Sequence, residues 1–177
     1  MAPMVSTVHE ARAFVERVRS HGLPVAGMMI EVPAAALRAR HMMEIVDFAS
    51  IGTNDLTQYA MATDRMAGEL AELLDPWQPA VLDLIAAAGA AGKAIGKPVG
   101  VCGEAARDPL LALVLVGLGI SSLSMAPAGV PAVRFALSRT DIETCEAMAA
   151  AARNAQDAAL ARAAVEKLVD PEVLLAL

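Results

Sequence analysis

The chain has 177 residues, and its 56% of hydrophobic residues is enough to fill the core of one ordinary domain, which excludes an intrinsically disordered protein. A formal net charge of -6 excludes the accumulation of Lys and Arg on which non-specific binding to nucleic acid or to an anionic membrane surface depends. The two cysteines have no spacing typical of a disulfide framework or a zinc site, so we expect a protein of the reducing cytoplasm whose partners are small molecules or other proteins.

The first elements in chain order are a helix and a strand. Thr7 and Glu10 have the spacing of a capping box, and apolar residues then recur at helical intervals as far as Gly22, which predicts a helix. The apolar run over residues 25–32 predicts a strand, and Glu31 is its last polar residue.

The middle of the chain repeats this order. A helix is predicted over residues 34–45, a strand over 48–52 and a helical region over 56–74. Between the second strand and its helix lies the sequence Gly-Thr-Asn-Asp, residues 52–55, which presents an acid, an amide and several backbone N–H groups at one point. Such a set of groups suits a phosphorylated, metal-bound ligand.

The rest of the chain continues the alternation and then becomes helical. We predict a helix over residues 80–95, a strand over 99–102, a helix over 109–116, a strand over 121–125 and a helix over 130–137. The pattern of a second capping box at Thr140 and Glu143 begins an Ala-rich helical tail that extends to residue 169. The longest apolar run, residues 109–120, is about half of the ~20 residues that cross a bilayer, so no membrane insertion is expected.

These elements predict an α/β fold with a parallel sheet, because the strands are nearly continuous apolar runs. Reactive side chains lie at or just beyond the ends of three strands, namely Glu31, Asp55 and Cys102, and α/β proteins place their chemistry at that edge of the sheet. Four clear strands, or five if residues 1–5 form one, are too few for a closed eight-stranded barrel of roughly 250 residues. The residues therefore predict either an open sheet or part of a barrel.

Five segments together resemble one family of enzymes. The segments GMMIEVPAAAL, SIGTNDLTQYAMATDR, DPWQPAVLDLI, VGVCGEAA and GLGISSLSMAP, in this order, resemble the C-terminal half of the phosphoenolpyruvate (PEP)-binding barrel of phosphoenolpyruvate-protein phosphotransferase, the enzyme I of the bacterial sugar phosphotransferase system. The resemblance covers Met1 to Arg153. It implies that residues 1–139 form the last four to five strands of a (β/α)8 TIM barrel with their helices, and that residues 140–177 form a helical tail packed on it.

The same resemblance implies which parts of the enzyme this sequence does not contain. They are the first strands of the barrel, with the arginines that bind substrate phosphate and carboxylate, and the domain with the phosphoacceptor histidine. We therefore expect the chain alone to be inactive and to bind ligands weakly. Ala49, Gln78 and Arg107 depart from the family pattern, and these departures concern packing and loop shape more than chemistry.

The resemblance implies a magnesium site that binds PEP and releases pyruvate. Glu31 and Asp55 would be the Mg²⁺ ligands, whereas Asn54, Asp55 and Arg65 would bind the substrate and its phosphoryl group. From the residues alone, other roles stay open. The acids could cap helices or face solvent, Asn54 could serve a turn, and Arg65 could form a surface salt bridge.

The resemblance gives Cys102 the catalytic role, as the acid that protonates the enolate of pyruvate. A thiol at the carboxyl end of a strand could reach a substrate carbon, although most free cysteines are inert core residues. Cys145 is interpreted as a packing residue. His9, His21 and His41 lie in helical or loop contexts without an acidic partner, so none is assigned as phosphoacceptor.

Two alternatives to the phosphotransferase remain. The first is an Mg-dependent lyase or dikinase fragment of the wider PEP/pyruvate barrel group, and the second is a noncatalytic, self-associating half barrel. An open half barrel has two sheet edges and an uncovered apolar face, so a homodimer is expected. In the complete system the partners would be the phosphoacceptor histidine domain and a phosphocarrier protein.

Overall fold

The computed structural model describes residues 1–64, 66 and 68–176. Its centre is a parallel sheet of four strands, in the order β1-β2-β3-β4, so that neighbours in sequence are also neighbours in the sheet. The strands are β1 Gly27–Ile30, β2 Phe48–Gly52, β3 Val99–Cys102 and β4 Ser122–Ser124.

Helices connect the strands and continue beyond the last of them. The α-helices are α1 Val8–Ser20, α2 Pro33–Leu37, α3 Ala39–Met43, α4 Thr53–Ala60, α5 Pro79–Ile95, α6 Glu104–Arg107, α7 Pro109–Gly117, α8 Val130–Ser138, α9 Ile142–Arg153, α10 Ala158–Glu166 and α11 Pro171–Ala176. Two 3₁₀ helices cover Gly68–Leu74 and Pro127–Gly129. No helix in the part of the chain that the structure describes has the length and apolar character to cross a bilayer.

This architecture confirms the predicted α/β fold and is consistent with a partial α/β barrel followed by helices. Side chains alternate between the faces of the sheet. One set lies in the hydrophobic core, and it consists of Met28, Ile30, Ala49, Ile51, Val99 and Val101. The other set is partly or fully exposed, and it consists of Met29, Ser50, Cys102, Ser122 and Ser124.

The amino-terminal segment extends the sheet by one residue. Ala2 forms a parallel bridge with Met28, in which the Ala2 N–H donates to Gly27 O at 2.9 Å and the Met29 N–H donates to Ala2 O at 2.7 Å. The fifth strand considered for residues 1–5 is therefore a single bridge beside β1.

Several predicted elements have the expected bounds. Strands β2 and β3 begin and end at the predicted residues. Thr7 caps α1 by accepting from the Glu10 N–H, and the Glu10 carboxylate accepts from the Thr7 N–H, which completes the predicted capping box. The backbone and hydroxyl groups that donate to Glu10 lower the pKa of this carboxyl group.

Two predicted helices are interrupted. The helix predicted over residues 34–45 is divided at Arg38, whose φ of -105° and ψ of 13° are not helical, and both parts place buried residues in the core. The region predicted over 56–74 contains α4, which ends at Ala60, and Ala62 then has a φ of 50°. Among the residues that the structure describes, the next helical element is the 3₁₀ helix at Gly68–Leu74.

The prediction of a second capping box at Thr140 and Glu143 is wrong. Asp141 is the cap of α9, because its Oδ1 accepts from the Thr144 N–H at 2.7 Å. Thr140 instead donates from its hydroxyl to Ala136 O, one turn back in the preceding helix, at 3.1 Å.

The helical tail packs on α7 through close backbone contacts. A side chain at Gly117, the last residue of α7, would clash with the carbonyl of Cys145 in α9. Cys145, Met148 and Ala152 of α9 belong to the same hydrophobic cluster as the strands. A domain division between residues 139 and 140 stays a prediction.

Lys97, which lies between α5 and β3, binds the backbone at the end of α3. Its ammonium group donates to three backbone carbonyl oxygens at the end of α3 and beyond, at 2.7 Å to Met43, 3.3 Å to Glu44 and 2.8 Å to Val46. The last carbonyls of a helix have no intrahelical partner, so the lysine satisfies them.

Candidate functional site

The carboxyl edge of the sheet collects the side chains that the sequence singled out. Glu31 directly follows β1, residues 53–55 directly follow β2, and Cys102 is the last residue of β3. The strand register places Gly52 beside Cys102, and Cys102 beside Ser124. Four adjacent strand ends thus form one edge, as expected for a parallel sheet.

Glu31 is held across the ends of β1 and β2. Its side chain lies over Gly52, where an added Cβ would be 2.7 Å from Glu31 Cγ and 2.8 Å from its Oε1. Its Oε2 accepts from the backbone N–H of Met4 at 2.7 Å, and the residue is only 8% exposed. The Glu31 carboxylate can therefore occupy this position only because residue 52 has no side chain.

The position of Glu31 excludes two structural roles, a helix cap and a solvated surface acid. Helix α2 begins after Val32 and has no side-chain cap, so Glu31 is not the cap of the following helix. It is also not a solvated acid, because it is buried. A nearly buried carboxylate at a strand end keeps lone pairs for a ligand or cation, and such carboxylates are costly to bury without partners.

Asn54 and Asp55 lie in the first turn of α4. The helix begins at Thr53 with Gly52 as its N-cap, so the interpretation of Asp55 as the cap of a helix that begins at Leu56 is wrong. No side chain of the described residues caps α4, although the first N–H groups of a helix lack intrahelical acceptors. Asn54 is exposed and Asp55 is half-buried. A negative group in the first turn is favoured by the helix dipole.

Thr53 and Gly103 are site residues that the sequence did not single out. The Thr53 hydroxyl donates to Cys102 O at 3.4 Å and so links the ends of β2 and β3. Gly103 has a φ of 93°, and an added Cβ there would lie 3.9 Å from both Asn54 Nδ2 and Thr53 Oγ1. The positive φ is what favours glycine here, and the glycine directly after the cysteine was the signal for this turn.

The two cysteines have different surroundings. Cys102 is partly exposed, and its Sγ lies 3.5 Å from Ile51 O on the neighbouring strand. Cys145 is buried, and desolvation raises the pKa of its thiol, which keeps it protonated and unreactive at neutral pH. The packing interpretation of Cys145 agrees with this position.

The structure thus brings Glu31, Asn54 and Cys102 to one edge through Gly52 and Gly103. Arg65 lies outside the described residues. Within ranges 1–64, 66 and 68–176, no three His, Cys, Asp or Glu side chains are grouped as metal ligands. A cation bound by two carboxylates would need other oxygens, and Mg²⁺ commonly takes one or two carboxylates with water and substrate oxygens.

Other titratable residues are exposed and have contacts of their own. Glu104 is exposed and pairs with Arg107, with 3.1 Å between Oε2 and Nε. His9, His21 and His41 are exposed, and His21 Nδ1 lies 2.8 Å from Arg17 O. These positions agree with surface roles for the histidines.

A family model supplies the class of protein. Residues 1–142 match the model described as PEP-utilising enzyme, PEP-binding domain. The chain belongs to this family of PEP-utilising enzymes.

The relatives narrow the resemblance to phosphoenolpyruvate-protein phosphotransferases, as the motifs predicted. A protein of this name from Streptomyces coelicolor is 52% identical over 173 residues, which are 97% of this chain and 31% of that protein. One from Haloferax volcanii is 47% identical over 152 residues, 80% of this chain and 27% of that protein. A "Multiphosphoryl transfer protein" from Xanthomonas campestris pv. campestris is 41% identical over 92% of this chain and 20% of that protein. The chain spans less than a third of the length of these relatives.

Proposed function

We propose that this chain is part of the PEP-binding catalytic domain of a PEP-dependent protein-histidine phosphotransferase of the cytoplasm. One observation carries the proposal. The buried carboxylate of Glu31 lies over Gly52, which is paired with Cys102, in a segment that matches the PEP-binding domain. The names of the relatives support the same reaction class.

Glu31 and Asp55 would hold Mg²⁺, which when bound would stabilise the negative charge on the phosphoryl and enolate oxygens of the substrate. Hard carboxylate oxygens suit this ion. The Met4 N–H holds one oxygen of Glu31, which orients the other toward Gly52 and the strand ends. Such support of a ligand by its neighbours fixes its direction.

Asn54, Arg65 and the first N–H groups of α4 would bind the phosphoryl group. The helix has no side-chain cap, and its dipole favours an anion at this end. The amide of Asn54 would add a hydrogen bond, and the guanidinium of Arg65 would offset phosphate charge. These residues act by positioning and by charge stabilisation, which is most of phosphoryl-transfer catalysis.

Cys102 would act as the acid after phosphoryl transfer. In the transfer itself, the bond between phosphorus and the enol oxygen of PEP breaks and a bond from phosphorus to a histidine nitrogen forms. The enolate then takes a proton from the Cys102 thiol on its terminal carbon, which gives pyruvate, and the thiolate regains a proton from water. The partial exposure of Cys102 agrees with both proton movements.

The partners follow from this reaction. The substrate is PEP, the phosphoacceptor is a histidine domain, and a phosphocarrier protein takes the group onward in a sugar phosphotransferase system. The exposed edge at β4 favours a homodimer. Because the histidine and the earlier strands are outside this chain, the chain alone would be inactive. We find no feature that favours the lyase or dikinase alternative.

A reconstituted assay tests the proposed function. The chain is mixed with a polypeptide that carries the histidine domain and the first half of the barrel, and pyruvate release from PEP is measured with Mg²⁺. We expect release from the mixture but none from the chain alone. Asp55→Asn should reduce the rate by about 100-fold, because it removes a charge from the proposed cation site.

Glu104→Gln is the matched control, since Glu104 is an exposed acid close to Cys102 in sequence. It should keep the rate of the wild type. Robust pyruvate release by the isolated chain, or equal rates for Asp55→Asn and the wild type, would contradict the proposal.

A further inference from the structure

Three side chains outside the candidate site form a cluster at the ends of two segments that begin at the site. Trp77, the only tryptophan of the chain, is 1% exposed and follows the 3₁₀ helix at Gly68–Leu74. Asp108 lies between α6 and α7, and Arg162 belongs to α10 of the tail. We call these three residues the Trp77 cluster.

Asp108 is the centre of the cluster, and both of its carboxylate oxygens are used. Oδ1 accepts from the N–H groups of Leu110 and Leu111 at 3.0 and 3.2 Å, which caps α7. Oδ2 accepts from the indole N–H of Trp77 at 3.0 Å and from a guanidinium N–H of Arg162. The Asp108 side chain is 18% exposed, so these four donors replace most of its hydration.

Arg162 completes the cluster from the tail. Its guanidinium carbon lies 4.9 Å from the centroid of the Trp77 ring, over the face of the ring. It thus combines an ion pair with Asp108 and a cation–π contact with Trp77. A lysine could not make both contacts in this planar arrangement.

Two of the three segments that carry the candidate site end at this cluster. The segment that begins at Cys102 continues through Gly103 and α6 to Asp108, and its first N–H after the cysteine donates to Ser124 O at 3.2 Å. The segment that begins with α4 ends at Trp77. The hydrogen bond from Trp77 to Asp108 therefore joins the far ends of two segments whose near ends meet at Thr53 and Cys102.

We propose that Arg162 is a positioning residue that fixes, through Asp108 and Trp77, the segments carrying Cys102 and Asp55. This deepens the proposed function and rests on it for the roles of Cys102 and Asp55. The tail would thus support the site, because Arg162 of α10 supplies the positive charge that pairs with Asp108. Without Arg162, the largely buried Asp108 carboxylate would have only neutral donors. Loss of Arg162 would loosen the segment from Gly103 to Asp108 and expose the thiol.

The test measures the two ends of this connection separately. Fluorescence of Trp77 reports the cluster, and the rate at which an aromatic disulfide reagent modifies Cys102 reports the site. Cys145 is 1% exposed and reacts only slowly. Neither measurement needs PEP, Mg²⁺ or a partner, so the result is independent of whether the proposed function is correct.

Arg162→Gln should change the emission of Trp77 and increase the modification rate of Cys102 by about fivefold, the effect of losing one partly exposed ion pair. Arg153→Gln is the matched control. Arg153 is also in a tail helix, its side chain is 43% exposed against 45% for Arg162, and it pairs with one aspartate, Asp83, at 2.6 Å. This control should leave both signals at wild-type values.

A changed Trp77 emission with an unchanged Cys102 rate in Arg162→Gln would overturn the proposal, as would an equal increase in Arg153→Gln. If Arg162→Gln does not fold, the wild type decides. Its Cys102 rate should increase when salt is raised to about 1 M, because salt screens the partly exposed ion pair. A rate that is independent of salt would then overturn the proposal.

Discussion

At the scale of single residues, the site depends on glycines as much as on reactive side chains. Gly52 gives Glu31 its place over the end of β2, and Gly103 takes the positive φ of 93° that turns the backbone directly after Cys102. The sequence predicted the acids, the amide and the thiol at strand ends. It could not predict the hydrogen bond from Met4 to Glu31, because the two residues are 27 positions apart and share no local pattern.

Replacement of Gly52 tests the position of Glu31. Gly52→Ala would place a Cβ 2.7 Å from Glu31 Cγ, so we expect it to lower the free energy of unfolding by about 1–3 kcal/mol through overpacking. Chemical denaturation measures this change. Gly68→Ala is the control, because no atom lies within 4 Å of an added Cβ there. Similar values for the two variants would mean that Glu31 moves away without cost.

Replacement of Cys102 tests the acid role. In the reconstituted mixture, Cys102→Ala should still transfer the phosphoryl group to histidine, but pyruvate formation should decrease by about 10²–10⁴-fold, the usual contribution of a general acid. Cys145→Ala should keep the wild-type rate, since that thiol is buried elsewhere. Loss of metal binding in Cys102→Ala would contradict a role limited to protonation.

At the scale of elements, local patterns predicted the structure where the deciding contacts are local. The bounds of β2 and β3 and the capping box of α1 depend on neighbouring residues. The sequence predicts Thr140 as the cap of α9, because Thr140 and Glu143 have the spacing of a capping box. In the structure Asp141 takes the cap position instead of Thr140, with the extended backbone of a cap at a φ of -77° and a ψ of 168°.

The cap of α9 should make stability depend on pH. Hydrogen bonds from Thr144 lower the pKa of Asp141 below its ordinary value of 3.8 in the folded state. Its contribution is therefore present above pH 3.8 and is lost as the pH falls through the lower, folded pKa. Asp141→Asn should remove this part of the slope, measured as the unfolding free energy between neutral and acid pH. An identical slope in both proteins would exclude a charged cap.

Local sequence patterns do not indicate contacts between residues that are far apart in the chain. Trp77 and Arg162 meet at Asp108 from 31 and 54 positions away. The sequence around each of them gives no sign of this contact. The packing of α10 against α7, whose N-cap is Asp108, brings them together.

At the scale of the whole molecule, the sheet has one strand edge that the described residues leave exposed. Ser122 and Ser124 of β4 are exposed, Leu123 is half-buried, and β4 pairs only with β3. Unpaired backbone groups on such an edge can pair with another chain. The family resemblance indicated a partial barrel at this scale, which the strand count alone left open.

Sedimentation tests self-association through this edge. We expect dimers or larger species at micromolar concentrations, and Ser122→Lys should shift the population toward monomer, because Ser122 is exposed on β4 and a charge on an edge strand disfavours pairing. A control variant, Leu37→Lys, changes an exposed leucine far from β4 in sequence and should not affect association. A wild type that sediments as a monomer would exclude the homodimer.

The carbonyl contacts of Lys97 have a practical consequence for chemical labelling. The chain has three lysines, and Lys93 and Lys167 are exposed, whereas the Lys97 amine is occupied by three backbone oxygens. Amine-directed dyes and cross-linkers should therefore attach to Lys93 and Lys167 in the native protein. Attachment at Lys97 would be a signature of molecules in which the end of α3 has come apart, so mass spectrometry of labelled peptides can count that population directly.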